Sequence, residues 1–538
     1  MKLKRRALVV EDRPELWKEY LDRLFPISDW EISHYATTVA EAKRQFQADS
    51  DLDLLVIDYE LPDGTGRDFL EFARSIDPNI PIFLFSEVAK GFSAEDASDF
   101  NALPLFLSKT KIRDNVEAIS EKCSRVYEQY MAEMCTPSVT SEFGRLRTVL
   151  VHEPWYEVRR LDPNDLPYYL IESPPDLDQA SDQHKGFITK LKEEADRPIT
   201  LEVALLLREV LDRQHGADRT TVIENILLSH DFRTVCARFG DVTAFSPPLA
   251  SMMEKLTNLP SDALTQTLLC GLNRSDFSGV KDAAGQTDHS YQVVEPVPNL
   301  YFMRDPCFVL GNSFVLSRMY WPIRRREPRI LREIIKHHPF MENVRHNLVD
   351  WEDETGPVSA EGGDAMAIAP GIYALALSER TSRQAVSEIA RELLRNGAEE
   401  VIQPTIPVKR AFIHLDTVCS LAGPEHVLVH PEAIHSYTET YRWTNKSKEP
   451  RPLDKSFVQY LQDEHGKKSI ETGDPLEQFD DAANVLMVNP STAMTYDRNP
   501  ITNERLRVAG INVRQFHGSD LVVGRGGARC MTMPLRRD

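Results

Sequence analysis

Residues 299–319 read NLYFMRDPCFVLGNSFVLSRM, and the plan of this stretch recurs along most of the chain. A strand, a turn and a second strand follow one another, with Asp305 beside the first strand. The blocks FGRLRTVLVHEP (143–154), AEGGDAMAIAPGIYALALSERTSRQAVSEIARELL (360–394), FIHLDTVCSLAGPEHVLVHP (412–431) and GARCMTMPL (527–535) share it, often with a helix afterwards. The likeness lies in pattern, not identity, and five such units predict a circular α/β array built by repetition. Residues 200–285 differ. LEVALLLREVLDRQ and SMMEKLTNL have helical periodicity without a strand signal, which predicts an inserted helical subdomain.

Polar residues gather at the ends of these units: Asp305, Glu361 and Asp364 in EGGD, His414 and Asp416 in HLD, and Cys530. On a strand His414 and Asp416 would share a face, and burying either is costly without a partner. Carboxylates, an imidazole and a thiol suit a planar cationic substrate attacked at its central carbon. Two carboxylates can grip a guanidinium, the sulfur attacks, and the imidazole moves protons. Cys530 stands in GRGGARCMTMPLRRD (524–538), with Arg525 and Arg529 close by, which predicts an exposed sulfur held as thiolate. Taken singly, EGGD reads as a hairpin turn, His414 as a structural histidine and Arg324–Arg326 as a solvated face. Cys307 and Cys419 read as packing residues. Only their joint presence points to chemistry.

The first 130 residues follow another rule. Apolar runs at Ala7–Val10, Leu54–Ile57, Pro81–Phe85 and Leu103–Leu107, with a weaker one at Ile32–Ala36, alternate with amphipathic stretches. This predicts a doubly wound parallel sheet covered on both faces. Glu11, Asp12, Asp58, Ser86 and Lys109 end its strands and fall on the carboxyl edge, where such sheets bind ligands. Three carboxylates converging there call for a hard cation, and oxygen ligands suit Mg²⁺. A hydroxyl and an ammonium would complete a pocket for a phosphoryl group on Asp58.

At 538 residues the chain is too long for one core and implies three or four folding units. Lys and Arg number 63 against 83 Asp and Glu, a net charge of -20 that disfavours nucleic acid and anionic membrane as partners. No apolar run reaches the roughly 18 residues of a membrane span. Seven scattered cysteines without metal spacing fit a reducing cytoplasm.

Residues 5–125 resemble the receiver domain of two-component response regulators, through VIDYELPDGTG (56–66) and the residues at the strand ends. The resemblance implies a flavodoxin-like fold, Glu11 and Asp12 as the acidic pair with Mg²⁺, and Asp58 as phosphoacceptor. Ser86, Phe106 and Lys109 would be the switch residues and the conserved lysine, and a histidine kinase or small phosphodonor the partner. Thr110 departs from the proline usual after that lysine. Residues 141–538 resemble the arginine deiminases of the guanidine-modifying superfamily. NLYFMRDP, MYWPIRRRE, EGGD, LSERTS, HLDT and RCMTMPLRRD carry the likeness, in family order. It implies a five-bladed pseudo-symmetric α/β propeller without cofactor that acts on L-arginine. Cys530 would be the nucleophile and His414 the acid and base, with Glu361 orienting it and Asp305 and Asp416 gripping the guanidinium. Arg324 and Arg380 would hold the α-carboxylate, Asn299 and Phe302 would touch the substrate, Arg525 would lie on a mobile loop and Asp364 behind the site. GRGGARC is one glycine poorer than the commoner form of that loop.

The expected division is therefore 1–130 receiver, 131–142 linker and 143–538 deiminase, in a cytoplasmic homo-oligomer. Amidino transfer and a non-catalytic arginine sensor are the alternative functions. No helix-turn-helix signature speaks for a transcription factor.

Overall fold

In the computed structural model the described residues are 4–26, 29–86, 106–161, 166–227, 249–273, 292–350, 358–409, 412–434, 439–446 and 449–538. Strands Arg5–Val10, Trp30–Ala36, Leu54–Asp58, Ile82–Ser86 and Phe106–Ser108 form one sheet. The first strand lies between the second and third, and the fourth and fifth follow outward. Every pairing is parallel. Alternate residues of the continuous apolar runs face opposite sides. Val9, Val56 and Phe85 meet Trp17, Leu21 and Tyr127 on one face, while Val10, Ile57 and Leu84 share a core with Phe46 and Phe69 on the other. Each such large apolar side chain contributes about 1.5–3 kcal/mol on burial. Gly66 opens the helix after Asp58, where any Cβ would collide with the Asp58 carbonyl.

Helix Val116–Met134 leads out of this unit. The stretch after it, expected to be a linker, is buried chain: Cys135 and Val139 are inaccessible. Ser138 N donates to Leu535 O at 2.8 Å, Val139 N to Gly311 O at 2.8 Å, and Glu142 N to Ala367 O at 3.0 Å. It reads as a linker in the sequence, yet its backbone groups are satisfied by three different sheets.

Beyond it, five units among the described residues share one plan: an antiparallel strand pair, a hairpin in four of the five, in which one strand also pairs in parallel with a third. They comprise Cys307–Leu310 with Ser313–Leu316 and Leu348–Val349, and Ala365–Ala369 with Ile372–Leu375 and Glu400–Pro404. Cys419–Leu421 with His426–Val429 and Lys468–Glu471, and Leu486–Asn489 with Thr492–Tyr496 and Asn512–Phe516, repeat it. The fifth joins Met533–Arg537 to Leu146–Val151 and Ile199–Glu202. The blocks at 143–154 and 527–535, expected as separate units, are thus two halves of one. The unit at 486–516 was not anticipated, because its hairpin LMVNPSTAMTY turns without a glycine.

Helices Val203–Arg213, Gly216–Ile226, Leu249–Thr257 and Ser261–Cys270 form the helical region. It begins after the strand Ile199–Glu202, later than expected, and residues 228–248 and 274–285 lie outside the described residues. The N-terminal sheet docks here: the Arg5 guanidinium, 5% exposed, donates to Glu209 Oε2 at 2.8 Å. The His338 Nε2 meets the same oxygen at 2.7 Å, and Arg5 lies 4.6 Å over the Phe340 ring. No helix among the described residues is long and apolar enough to cross a membrane.

Candidate active site

The polar motifs are short 3₁₀ turns that lead into hairpins, not strand residues. Gly362–Asp364 precedes Ala365–Ala369, and Leu415–Thr417 precedes Cys419–Leu421. His414 caps the second turn, its N–H directed to Thr417 Oγ1, so the strand geometry expected for HLD does not form. Asp364 joins the turns. Its Oδ2 accepts from Ser378 Oγ and Thr381 Oγ1 at 2.6 Å each, and its Oδ1 accepts from Leu415 N at 3.0 Å. Burial lifts this carboxyl to about 6. Gly363 is needed because a Cβ there would lie 2.6 Å from His414 Cγ.

His414 is fixed through Nε2, 2.8 Å from Glu361 Oε2. Glu361 Oε1 accepts from Tyr320 N at 2.9 Å, and Arg380 stands 3.5 Å from Oε2. Burial would lower the imidazole pKa, but Asp305, Glu361 and Asp364 outweigh it and raise it to about 9. Burial would raise Glu361, but Arg380, His414 and Arg324 hold it down at about 2. The pair is therefore imidazolium and carboxylate at neutral pH. The Nδ1 side of the ring faces Asp305 Oδ1 at 3.7 Å, beyond hydrogen-bond reach.

Cys530 is 3% exposed. Asn484 clamps it, donating from Nδ2 to Sγ at 3.0 Å while accepting Cys530 N on Oδ1 at 3.0 Å. Asp416 Oδ2 lies 3.5 Å from Sγ. Burial, Asp416, Asp305 and Asp481 raise the thiol well above its ordinary value. The exposed thiolate read from the glycine-rich loop is thus replaced by a buried, protonated thiol. The neighbouring arginines are committed to carboxylates: Arg529 donates to Asp416 Oδ2 at 2.8 Å and to Glu142, and Arg525 lies 3.3 Å from Glu172 Oε1.

Asp305 accepts Arg324 on Oδ2 at 2.6 Å, and Asp416 accepts Arg529 on Oδ2, yet the Oδ1 atom of each is buried without a hydrogen-bond partner. Two carboxylates, Asp416 beside the thiol and Asp305 beside His414, thus each present one open acceptor. Arg324, expected on a substrate carboxylate, is here committed to Asp305 and Glu327. Asn299 donates to Tyr169 O at 2.7 Å, and Phe302 packs beneath Gly524 and Gly526. A cavity of about 610 Å³, lined by Arg380, Arg525, Trp321 and Glu172 among others, adjoins the motifs. Asn484 and Asp481 were missed in the sequence because EQFDDAANV carries no catalytic signature of its own. The Asp481 carboxyl is buried with both oxygens unpartnered, and burial lifts it to about 7.

At the other end of the chain Glu11, Asp12 and Asp58 converge, with ligand atoms within 4.8 Å of one another. Lys109 Nζ lies 2.7 Å from Asp58 Oδ2 and 2.7 Å from Glu11 Oε2, with hydrogen-bond geometry only to the first. Ser86 ends the neighbouring strand, and the Phe106 side chain falls outside the described residues.

A family model, "Arginine deiminase", matches residues 168–537. The chain belongs to the arginine deiminase family. It is 31% identical to the arginine deiminase of Staphylococcus haemolyticus over 419 residues, which cover 74% of this chain and 98% of that protein. The arginine deiminase of Staphylococcus aureus strain MRSA252 is 30% identical over 429 residues, with the same shares of the two chains. Among solved structures, the N-terminal domain of ArgZ aligns over 72% of this chain and 98% of that one, at 16% identity and TM-score 0.41. As a member of the arginine deiminase family the chain is an enzyme, a hydrolase acting on amidine C–N bonds.

Proposed function

We propose that this chain hydrolyses L-arginine to L-citrulline and ammonia on a five-bladed α/β propeller spanning about residues 143–538. The observation that carries the reading is the pair of unpartnered Oδ1 atoms on Asp305 and Asp416, the second carboxylate 3.5 Å from a buried thiol and the first acting on it through its charge. A guanidinium offers the planar set of N–H donors that two such acceptors lack. Its positive charge between them would also cancel the negative field that keeps the proton on Cys530, so the thiol proton leaves to solvent as substrate binds. The sulfur then adds to the guanidinium carbon. His414 gives the Nδ1 proton to the departing nitrogen, which leaves as ammonia, and a thiouronium remains on Cys530. The neutral imidazole next takes a proton from water, whose oxygen adds to the same carbon. The C–S bond breaks with its electron pair on sulfur, which takes up the proton lost from the added hydroxyl, so citrulline leaves and the thiol is restored. Arg380 and, once it leaves Asp305, Arg324 supply charge for the α-carboxylate, which favours free arginine over decarboxylated or peptidyl forms. Acid-quenched mass spectrometry during turnover tests this: Cys530 should carry an adduct equal to arginine less ammonia. An unmodified Cys530 during steady product release would refute it.

The N-terminal unit supports a second reading, phosphorylation at Asp58 of a receiver-like domain that regulates the enzyme. Burial and the Asp58 charge lift Glu11 to about 7 despite Lys109, so the acidic cluster is short of positive charge. Glu11, Asp12 and Asp58 would hold a Mg²⁺, which when bound neutralises the cluster and orients a phosphoryl group. Lys109 is placed to pair with the added charge.

A further inference from the structure

The connector between the N-terminal unit and the catalytic sheets ends in a buried charge. Glu142 is 6% exposed. Its Oε2 accepts Arg529 Nε at 3.2 Å and its Oε1 accepts Arg529 Nη2 at 3.1 Å. The third nitrogen of that guanidinium, Nη1, donates to Asp416 Oδ2 at 2.8 Å, and this oxygen lies 3.5 Å from Cys530 Sγ. Two side chains therefore separate the connector from the sulfur. Burial opposes ionisation of Glu142, but Arg529, Arg304 and Arg537 hold its pKa at about 2, so it is charged at any working pH.

The segment is fixed on both sides. Glu142 N donates to Ala367 O at 3.0 Å and Ala367 N to Glu142 Oε1 at 3.2 Å, which staples it to the strand that follows Asp364. On its other side it continues helix Val116–Met134, whose Tyr127 and Met131 belong to the core shared with the N-terminal sheet. Nothing in the chemistry of deimination requires a carboxylate at this position. Together with Ala365 O, which accepts Arg529 Nη2 at 2.6 Å, it holds Arg529 so that only Nη1 reaches Asp416, leaving Asp416 Oδ1 open.

We propose that Glu142 is a positioning residue for the thiol site: through Arg529 it keeps one Asp416 oxygen open for substrate, and it makes the connector from the N-terminal unit part of that site. The substrate in this inference rests on the deiminase reading above, while the effect on the thiol does not. Without the Glu142 charge, Arg529 turns onto Asp416 with two nitrogens, as guanidinium–carboxylate pairs favour. The open acceptor is then filled. The Asp416 charge that keeps the proton on sulfur is also compensated, so the thiol becomes more acidic while turnover falls.

The test is Glu142→Gln in the full chain, with Glu142→Asp as charge-conserving rescue and Val139→Ala as a packing control on the same connector. Two quantities are read: kcat/KM for L-arginine, and the rate of Cys530 alkylation by iodoacetamide against pH. Glu142→Gln should lower kcat/KM roughly 100-fold, the scale of losing one preorganised charged contact. It should move the alkylation midpoint down by about 1 pH unit, as loss of one nearby negative charge would. Glu142→Asp should restore the midpoint, and Val139→Ala should lower the melting temperature without moving it. A folded Glu142→Gln protein with unchanged midpoint and kcat/KM overturns the proposal. If that variant does not fold, Arg529→Lys keeps the charge but loses the fork, and unchanged kcat/KM there overturns it equally. Parent protein inactive on arginine would count against the deiminase reading, and the alkylation midpoint would still decide the role of Glu142.

Discussion

Replacing Glu361 with Gln removes the partner that holds His414 by Nε2 at 2.8 Å while preserving shape and one acceptor. The imidazole is raised to about 9 against an ordinary 6.5, although burial opposes it. Glu361 contributes to that lift through both its hydrogen bond and its charge, and Asp305 and Asp364 supply the rest. Losing the Glu361 share lowers the imidazole part of the way back toward its ordinary value, a change on the order of 2 kcal/mol. The first step uses the protonated ring, so activity is lost as pH rises through the imidazole pKa. The basic limb of kcat should therefore move from near 9 in the parent to about 7–8 in the variant. Lost orientation should add a drop of roughly 10- to 100-fold at the optimum. Citrulline formation measured from pH 6 to 10 reads both effects. A basic limb that stays in place, with only its amplitude reduced, would show that Glu361 is scaffold and that the proton comes from elsewhere.

Cys530→Ala should abolish citrulline release while arginine still raises the melting temperature, because the two carboxylates remain. Residual turnover would exclude sulfur as nucleophile. Asp58→Asn should abolish labelling by a small phosphodonor in the presence of Mg²⁺, and labelling that persists would place the acceptor elsewhere. Arg5→Met leaves Glu209 buried without its cation and should destabilise the full chain by about 3–5 kcal/mol, read by denaturant unfolding. Stability unchanged by that substitution would mean the two parts do not depend on this contact. Glu142, Glu209 and Glu361 are held at about 2 against an ordinary 4.5. Their folded pKa values are depressed, so the stability they contribute, up to about 3 kcal/mol each, is complete above 4.5 and lost as pH falls through 2. Melting temperature should fall steeply between those values, and a flat profile there would contradict the ion pairs described.

Much of this was legible in the sequence because the chemistry is local to short motifs. The strand-ending acids of the first unit and the residues of EGGD, HLD and the terminal cysteine loop all lie where the structure brings functional groups together. The strand order around Glu11 and Asp58 follows from continuous apolar runs that are buried on both faces. What escaped was long-range. No local pattern tells that Met533–Arg537 pairs with Leu146–Val151, some 380 positions apart, and so the repeat units were divided wrongly. The ionisation of Cys530 was misread for the same reason. Arg525 and Arg529 are its neighbours in sequence, but their charges face Glu172, Glu142 and Asp416, while Asp416, Asp305 and Asp481 arrive from distant segments. Glu142 looked like the end of a linker because its partners, Ala367 and Arg529, lie far away in the sequence.

The central claim is hydrolytic deimination of free arginine, and the most direct measurement is the stoichiometry of products from L-arginine without any acceptor amine. The account predicts citrulline and ammonia in equal amounts from the purified full chain, with no need for added metal or cofactor. Absence of citrulline, or product that forms only when an acceptor amine is supplied, would contradict it and assign the site to arginine sensing or amidino transfer.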